Sequence, residues 1–164
     1  LLTQAIAGLQ ATMAESMAIF GANLNGFRRY RPGHNVPITP TWGRNNRSVA
    51  FRIPAGDGPA RRIEHRVAGA DANPYLVVAA VLTGLLHGIE GKLKPTPETE
   101  DDAGDDADPA IPFEFIPALE RFAAAKILPR YIAPDMLDLY RDQKRAEMAK
   151  FMGTISRQEY DWHL

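Results

Sequence analysis

Cysteine is absent from the 164 residues. That excludes disulfides and thiolate metal sites, and it fits a reducing compartment, so a cytoplasmic protein is expected. Excess charge of either sign is also missing. The formal net charge is −1, so no global field draws the chain to nucleic acid or to an anionic membrane. The basic run Arg28, Arg29, Arg31 is too short to change that. Long apolar runs are lacking too. The nearest, residues 74–90, is interrupted by Gly84, His87, Gly88 and Glu90 and falls short of the ~20 residues that span a bilayer. The first residues, Leu1-Leu2-Thr3-Gln4, hold no initiator Met and no basic region, so no signal peptide is visible. A chain that opens in mid-helix reads as a piece of something longer. No Ser-His-Asp arrangement and no internal repeat is found.

What remains is ordinary for a globular domain: 45% apolar and 24% charged residues, in a length that buries one core. Ile6, Leu9, Met13, Met17 and Phe20 recur at helical spacing and predict a helix over 3–20, their stripe facing the core, with Gly21 at its end. Residues 22–42 carry Gly26, Pro32, Gly33, Pro37 and Pro40 and read as a long loop or flap. Strands are expected at 47–53 and 61–67, joined by the breaker-rich turn 54–59 into an antiparallel hairpin. Asn73 as N-cap and Pro74 open a helix over 74–90, closed by Gly91 in the C′ position. Its apolar residues cover most of the circumference, which predicts burial. Residues 94–112 are rich in Pro, Asp and Glu and read as a solvated, mobile surface loop. They lack the regular oxygen spacing of a calcium loop. Helices are expected over 113–125, 133–150 and 156–161, with Met136, Leu139 and Tyr140 forming the apolar side of the second. The fold class is α+β, a hairpin packed with several helices.

The chemistry concentrates on the hairpin. Alternate side chains of a strand share a face, so Arg62, Glu64 and Arg66 point one way and Ile63, His65 and Val67 the other. Arg47 and Arg52 have opposite parity. Either Arg47 precedes the strand proper or a bulge re-aims it. Guanidiniums gathered on one surface repel unless an anion sits among them, and their planar forks suit phosphate and carboxylate. Solvated arginines in surface ion pairs are the plainer alternative, but Glu64 inside the cluster favours a site. Phosphoryl transfer would use such a cluster to neutralise phosphate charge. Glu64 by itself cannot hold Mg²⁺, which wants six oxygens. Of the histidines, His34 lies in the flap, His65 turns away from the cluster as a structural residue, His87 reads as a core residue and His163 is terminal.

Asn46-Arg47-Ser48, Arg52-Ile53-Pro54, Ala60-Arg61-Arg62-Ile63-Glu64-His65-Arg66 and Ala72-Asn73-Pro74-Tyr75-Leu76 together resemble the C-terminal catalytic region of glutamine synthetases. Gly88-Ile89-Glu90-Gly91-Lys92 continues the match. Asn25-Gly26-Phe27-Arg28-Arg29-Tyr30 with Pro32-Gly33 resembles the family's flap. The likeness spans the chain and is sharpest over residues 25–92. It implies ATP-dependent ligation of an amine to the γ-carboxylate of glutamate through γ-glutamyl phosphate. By position, Arg29 and Arg66 would bind glutamate. Arg47 would stabilise the transferring phosphoryl group, and Arg47, Arg52 and Arg62 would contact ATP. Glu64 would be one ligand of Mg²⁺ or Mn²⁺.

The sequence departs from the family in three places. Asn35 stands where a glutamate takes a proton from ammonium, which favours a larger amine, as in γ-glutamylputrescine synthetases, over ammonia. No tyrosine lies between Lys92 and Pro112, so adenylylation is not expected. The family's other metal carboxylates, its metal-binding His and its N-terminal β-grasp domain have no counterpart in residues 1–164. The chain is therefore expected to be a single C-terminal piece of a catalytic domain, inactive alone. In the family the active site lies between subunits of a homo-oligomeric ring, a dodecamer by resemblance. An ammonia-using glutamine synthetase and a non-catalytic assembly module with the same fold are the alternatives.

Overall fold

The computed structural model of the chain describes residues 1–31, 34, 36–56, 58, 61–103 and 107–163. Among these are six α-helices and a three-stranded sheet. The helices are α1 (Leu2–Gly21), α2 (Leu24–Phe27), α3 (Pro74–Glu90), α4 (Phe115–Ala123), α5 (Pro134–Met152) and α6 (Arg157–His163). The strands are β1 (Trp42–Arg44), β2 (Phe51–Ile53) and β3 (Glu64–His65), in that spatial order. The α+β class holds.

The core is built on α1. Its Ile6, Leu9, Met13, Met17 and Phe20 are all buried, each such side chain being worth about 1.5–3 kcal/mol. The helix ends on Ala22 in the left-handed region (φ 55°). Helix α1 packs along α3 and α4, and its approach to α3 is set by glycine. A Cβ on Gly8 would run into the Gly84 carbonyl, and one on Gly88 into the Gln4 carbonyl. Small residues on facing ridges let two backbones meet closely enough for wide van der Waals contact. Glu15 is buried at 8% exposure, yet is fully used. Its carboxylate accepts from the main-chain N–H of Lys126, Ile127 and Leu128 at 3.0–3.1 Å, at the start of the 3-10 turn Leu128–Arg130. These are donors that a helical start leaves unpaired.

Several expectations need correction. The strand expected over 47–53 covers only Phe51–Ile53, because Arg47–Ala50 form bends stitched by side-chain bonds. The strand expected over 61–67 covers only Glu64–His65. The antiparallel pairing stands, with Phe51 opposite His65 and Arg52 opposite Glu64. An unforeseen strand, β1, starts at the last residue of the flap and runs parallel to β2. Helix α3 spans the residues expected, and Asn73 caps it by accepting from the Tyr75 and Leu76 N–H. The left-handed residue beyond it is Lys92 (φ 48°), one place after Gly91, which stays right-handed. Nor is α3 buried all round. Ala80, Thr83, Gly84 and Gly88 face inward, while Tyr75, Val78, Leu82 and Leu86 lie exposed in one stripe. On α5 the inward residues are Leu137, Tyr140 and Met148, with Met136 and Leu139 exposed. Tyr140 donates to the Ala18 carbonyl at 2.8 Å, which fixes the helix's rotation. His87 is half-buried and meets Tyr131 edge to face, and His34 is exposed.

Candidate active site

Register places the cluster. Arg52 and Glu64 are paired across β2 and β3, and opposite residues of an antiparallel pair project to the same face. Arg52 Nη1 reaches Glu64 Oε2 at 2.8 Å, and Arg62 Nη2 reaches Oε1 at 2.9 Å. One carboxylate thus bridges two guanidiniums. The hydrogen bond from Arg52, reinforced by that from Arg62, holds the Glu64 carboxyl below the usual carboxylate range against some desolvation. Arg52 Nη2 also donates to Asn45 Oδ1 at 2.8 Å, and its Nε is buried without a partner. Asn45 sits in the left-handed region (φ 50°), a conformation Asn tolerates better than most residues.

Arg47 precedes the strand, as one of the two sequence readings required, and is exposed. Its main-chain carbonyl accepts from Arg66 Nη1, which also donates to the Val49 carbonyl at 3.1 Å. Partial burial pushes the Arg66 guanidinium below the ordinary arginine range. The like charges of Arg52 and Arg47 act in the same direction, and Glu64 opposes them. Arg47, Arg52, Arg62, Glu64 and Arg66 therefore form one electrostatic group. Arg29 joins by another route. Its Nη2 donates to the carbonyl of Val67, next in sequence to Arg66, and to the Tyr30 hydroxyl at 2.7 Å. Burial raises the Tyr30 phenol to about 12. His65 turns inward, as its parity requires. Its ring lies 4.5 Å from that of Phe20 and 5.5 Å from that of Phe51, and burial drives its pKa down to about 4.

The acidic segment is not simply a solvated loop. Residues 96–103 form a strap over β1 and the Arg47 bend. The Thr99 N–H donates to the Trp42 carbonyl at 2.9 Å, and Trp42 Nε1 donates to the Thr96 carbonyl at 2.7 Å. Arg44 pairs with Glu98. Asn46 Nδ2 donates to the carbonyls of Thr99 and Asp101 at 3.0 and 2.9 Å, and the Ala103 N–H donates to Ser48 Oγ at 2.9 Å. Sequence reasoning missed Asn45 and the strap, and it named Asn46 in a motif without giving it a part in the site. The signal available was the Asn-Asn pair before Arg47, a residue type that bonds local backbone.

A cleft of about 370 Å³ borders the hairpin, lined by Leu2, Arg44, Asn45, Ile53, Pro54 and Arg61 among others. A larger cavity, about 500 Å³, lies between Phe27, Arg28, Arg31, Phe113 and Phe151. None of the hairpin's charged residues lines it, so it is not where the clustered charge would act. Among the described residues no three His, Asp or Glu side chains come together as a metal site. Glu64 fits the role of one metal ligand and no more. Asn35, expected from the sequence to bear on the choice of amine, lies outside the described residues. No helix among the described residues is long and apolar enough to cross a membrane.

Comparison with known proteins gives this geometry a setting. The chain is 40% identical over its whole length to gamma-glutamylputrescine synthetase PuuA of Escherichia coli (strain K12), of which it covers 35%. It is 31% identical over 97% of its length to gamma-glutamylethanolamide synthetase GlnA4 of Streptomyces coelicolor, of which it covers 33%. The chain thus spans about a third of the length of these relatives. The solved structure of a GmaS/ADP complex superposes on 98% of this chain and 39% of that one, with a TM-score of 0.80 at 24% identity, a likeness of fold. The family model for the glutamine synthetase catalytic domain matches residues 1–163, and the chain belongs to that family.

Proposed function

We propose that this chain is the C-terminal part of the catalytic domain of an ATP-dependent ligase that joins an amine to the γ-carboxylate of glutamate. The observation that carries the reading is the arginine group around Glu64, in a chain similar to two γ-glutamyl-amide synthetases. A glutamate γ-carboxylate oxygen attacks the γ-phosphorus of ATP, and the bond to ADP breaks. The amine nitrogen then attacks the acyl carbon of γ-glutamyl phosphate, a proton leaves the nitrogen, and phosphate departs.

Each residue has a part in this scheme. Arg52 and Arg62 meet the phosphates of ATP, and Arg47, exposed on its bend, supplies positive charge to the transferring phosphoryl group. Arg29 and Arg66 hold the glutamate substrate. Glu64, kept ionised by its arginines, is one ligand of Mg²⁺ or Mn²⁺, and the other ligands come from outside the described residues. When bound, the ion offsets phosphate charge. This incomplete ligand set leaves residues 1–164 inactive alone. The absence of cysteine supports a cytoplasmic setting. The exposed stripe on α3 supports a surface covered by the rest of the domain. Exposed Phe151, Met152, Ile155 and Trp162 support packing against further subunits of a homo-oligomeric ring.

Asn35 favours a larger amine than ammonia, since an amide cannot take the proton of an ammonium ion. The test is ADP release by the full-length protein with glutamate, Mg²⁺ and putrescine, ethanolamine or ammonium. Turnover that needs both glutamate and an organic amine is expected. Preference for ammonium would overturn the choice of amine, and ATP turnover indifferent to glutamate and every amine would overturn the ligase.

A further inference from the structure

Arg47 is presented by a bend, and the bend is held by one side chain. Asn46 spends every polar atom of its amide. Its Nδ2 donates to the strap carbonyls of Thr99 and Asp101. Its Oδ1 accepts from the Ser48 N–H at 2.9 Å and the Ser48 hydroxyl at 2.7 Å. The bonds to Ser48 close the chain around Arg47 in an Asx turn, while those to the strap anchor that turn to a segment more than 50 residues away. The strap is fixed in turn. Gly43 lets it lie close on β1, since a Cβ there would stand 2.5 Å from the Thr99 carbonyl oxygen, the same oxygen that Asn46 binds. From the other side, Arg66 holds the Arg47 carbonyl. A flexible, exposed side chain acting on a phosphoryl group needs a fixed Cα more than an enclosed one does, because nothing else limits its reach.

We infer that Asn46 is a positioning residue for Arg47, and that the 96–103 strap is the support through which it acts. The inference rests on the role proposed for Arg47. Misplacing a catalytic group by about 1 Å costs up to ~100-fold in rate, and the loss falls chiefly on kcat because Arg52 and Arg62 keep their ground-state contacts to ATP.

The test is a double-mutant cycle in the full-length protein, reading glutamate- and amine-dependent ADP release. Asn46→Ala is expected to lower kcat ~10–100-fold with KM for ATP and glutamate within about twofold and Tm nearly unchanged. Asn46→Asp, which keeps the acceptor for Ser48 and loses both donors to the strap, is expected to lose nearly as much. In an Arg47→Lys background, Asn46→Ala should add little, because the two residues act as a unit. Full additivity of the two losses, or Asn46→Ala with wild-type kcat, overturns the positioning role while Arg47→Lys still reports on the ligase reading. If Asn46→Ala fails to fold, Ser48→Ala enters the cycle instead, with the same expectation and the same contrary result. Absence of any turnover by the unmodified protein overturns the ligase reading and this inference with it.

Discussion

Arg52 and Glu64 are registered partners across β2 and β3, and their side chains meet at 2.8 Å on the face the strands share. The other Glu64 oxygen holds Arg62. A single carboxylate thereby keeps two of the clustered guanidiniums in place, the preorganisation that the role proposed for them would use.

The pairing makes Glu64 a stronger acid than an isolated carboxyl. Its folded pKa lies below the unfolded one, so the pairing stabilises the fold above the ordinary carboxylate range and is lost as pH falls through the folded value. A side-chain carboxyl titration by NMR should place Glu64 below the ordinary glutamate value. Arg52→Ala should raise it more than Arg62→Ala, since the Arg52 bond is the larger cause. The reverse order would contradict the geometry.

Arg66 is expected to serve twice, as a glutamate ligand and as a brace for the Arg47 and Val49 carbonyls. Arg66→Lys keeps the charge and loses the fork. Steady-state kinetics on the full-length protein should show a raised KM for glutamate together with a kcat lowered by at least ~10-fold. An effect on KM alone would remove the bracing role.

His65 predicts a pH dependence of opposite origin. Its pKa falls from the ordinary histidine value to about 4 on folding, so the unfolded chain takes up a proton that the folded one refuses. Stability should rise with pH between about 4 and 6.5 and level off above, by at most about 3 kcal/mol because part of the residue stays accessible. Denaturant unfolding at several pH values checks this, and His65→Phe should flatten the slope.

Gly84 faces Gly8 and Thr12 across the α1–α3 contact. Alanine normally favours a helix by about 1 kcal/mol over glycine. Here Gly84→Ala should nevertheless destabilise by ~1–3 kcal/mol, because a Cβ would stand 2.7 Å from Thr12 Oγ1 and 3.1 Å from the Leu9 Cα. A Tm equal to or above that of the unmodified protein would contradict the close approach.

Glu15→Ala should cost more. It strands three main-chain donors at the 3-10 turn, that of Leu128 buried and the other two partly so, a loss of ~2–4 kcal/mol. Hydrogen exchange at Lys126, Ile127 and Leu128 should accelerate in the variant before global unfolding does.

The helices were legible because burial imposes a period. Ile6 to Phe20 on α1 and the Asn73-Pro74 start of α3 carry local signals that tertiary contacts only reinforced. The motif around Glu64 was legible for the same local reason, since strand parity alone separates Arg62, Glu64 and Arg66 from His65. Strand extents were not, because Asn46 and Ser48 take backbone partners from the ladder. The inward face of α5 was misread because Tyr140 bonds a carbonyl on α1, a contact that no period encodes.

By itself the sequence determined the α+β class, the α1 and α3 helices, the inward turn of His65 and the family motif with its arginines. Only the tertiary structure decided that Arg47 stands outside the strand, that Glu64 bridges Arg52 and Arg62, and that the acidic segment lies against β1 to hold Asn46. The physical reason is range. Periodicity and capping act within a few residues, whereas Asn46 meets Thr99 and Glu15 meets Leu128 only after the core has brought distant segments together.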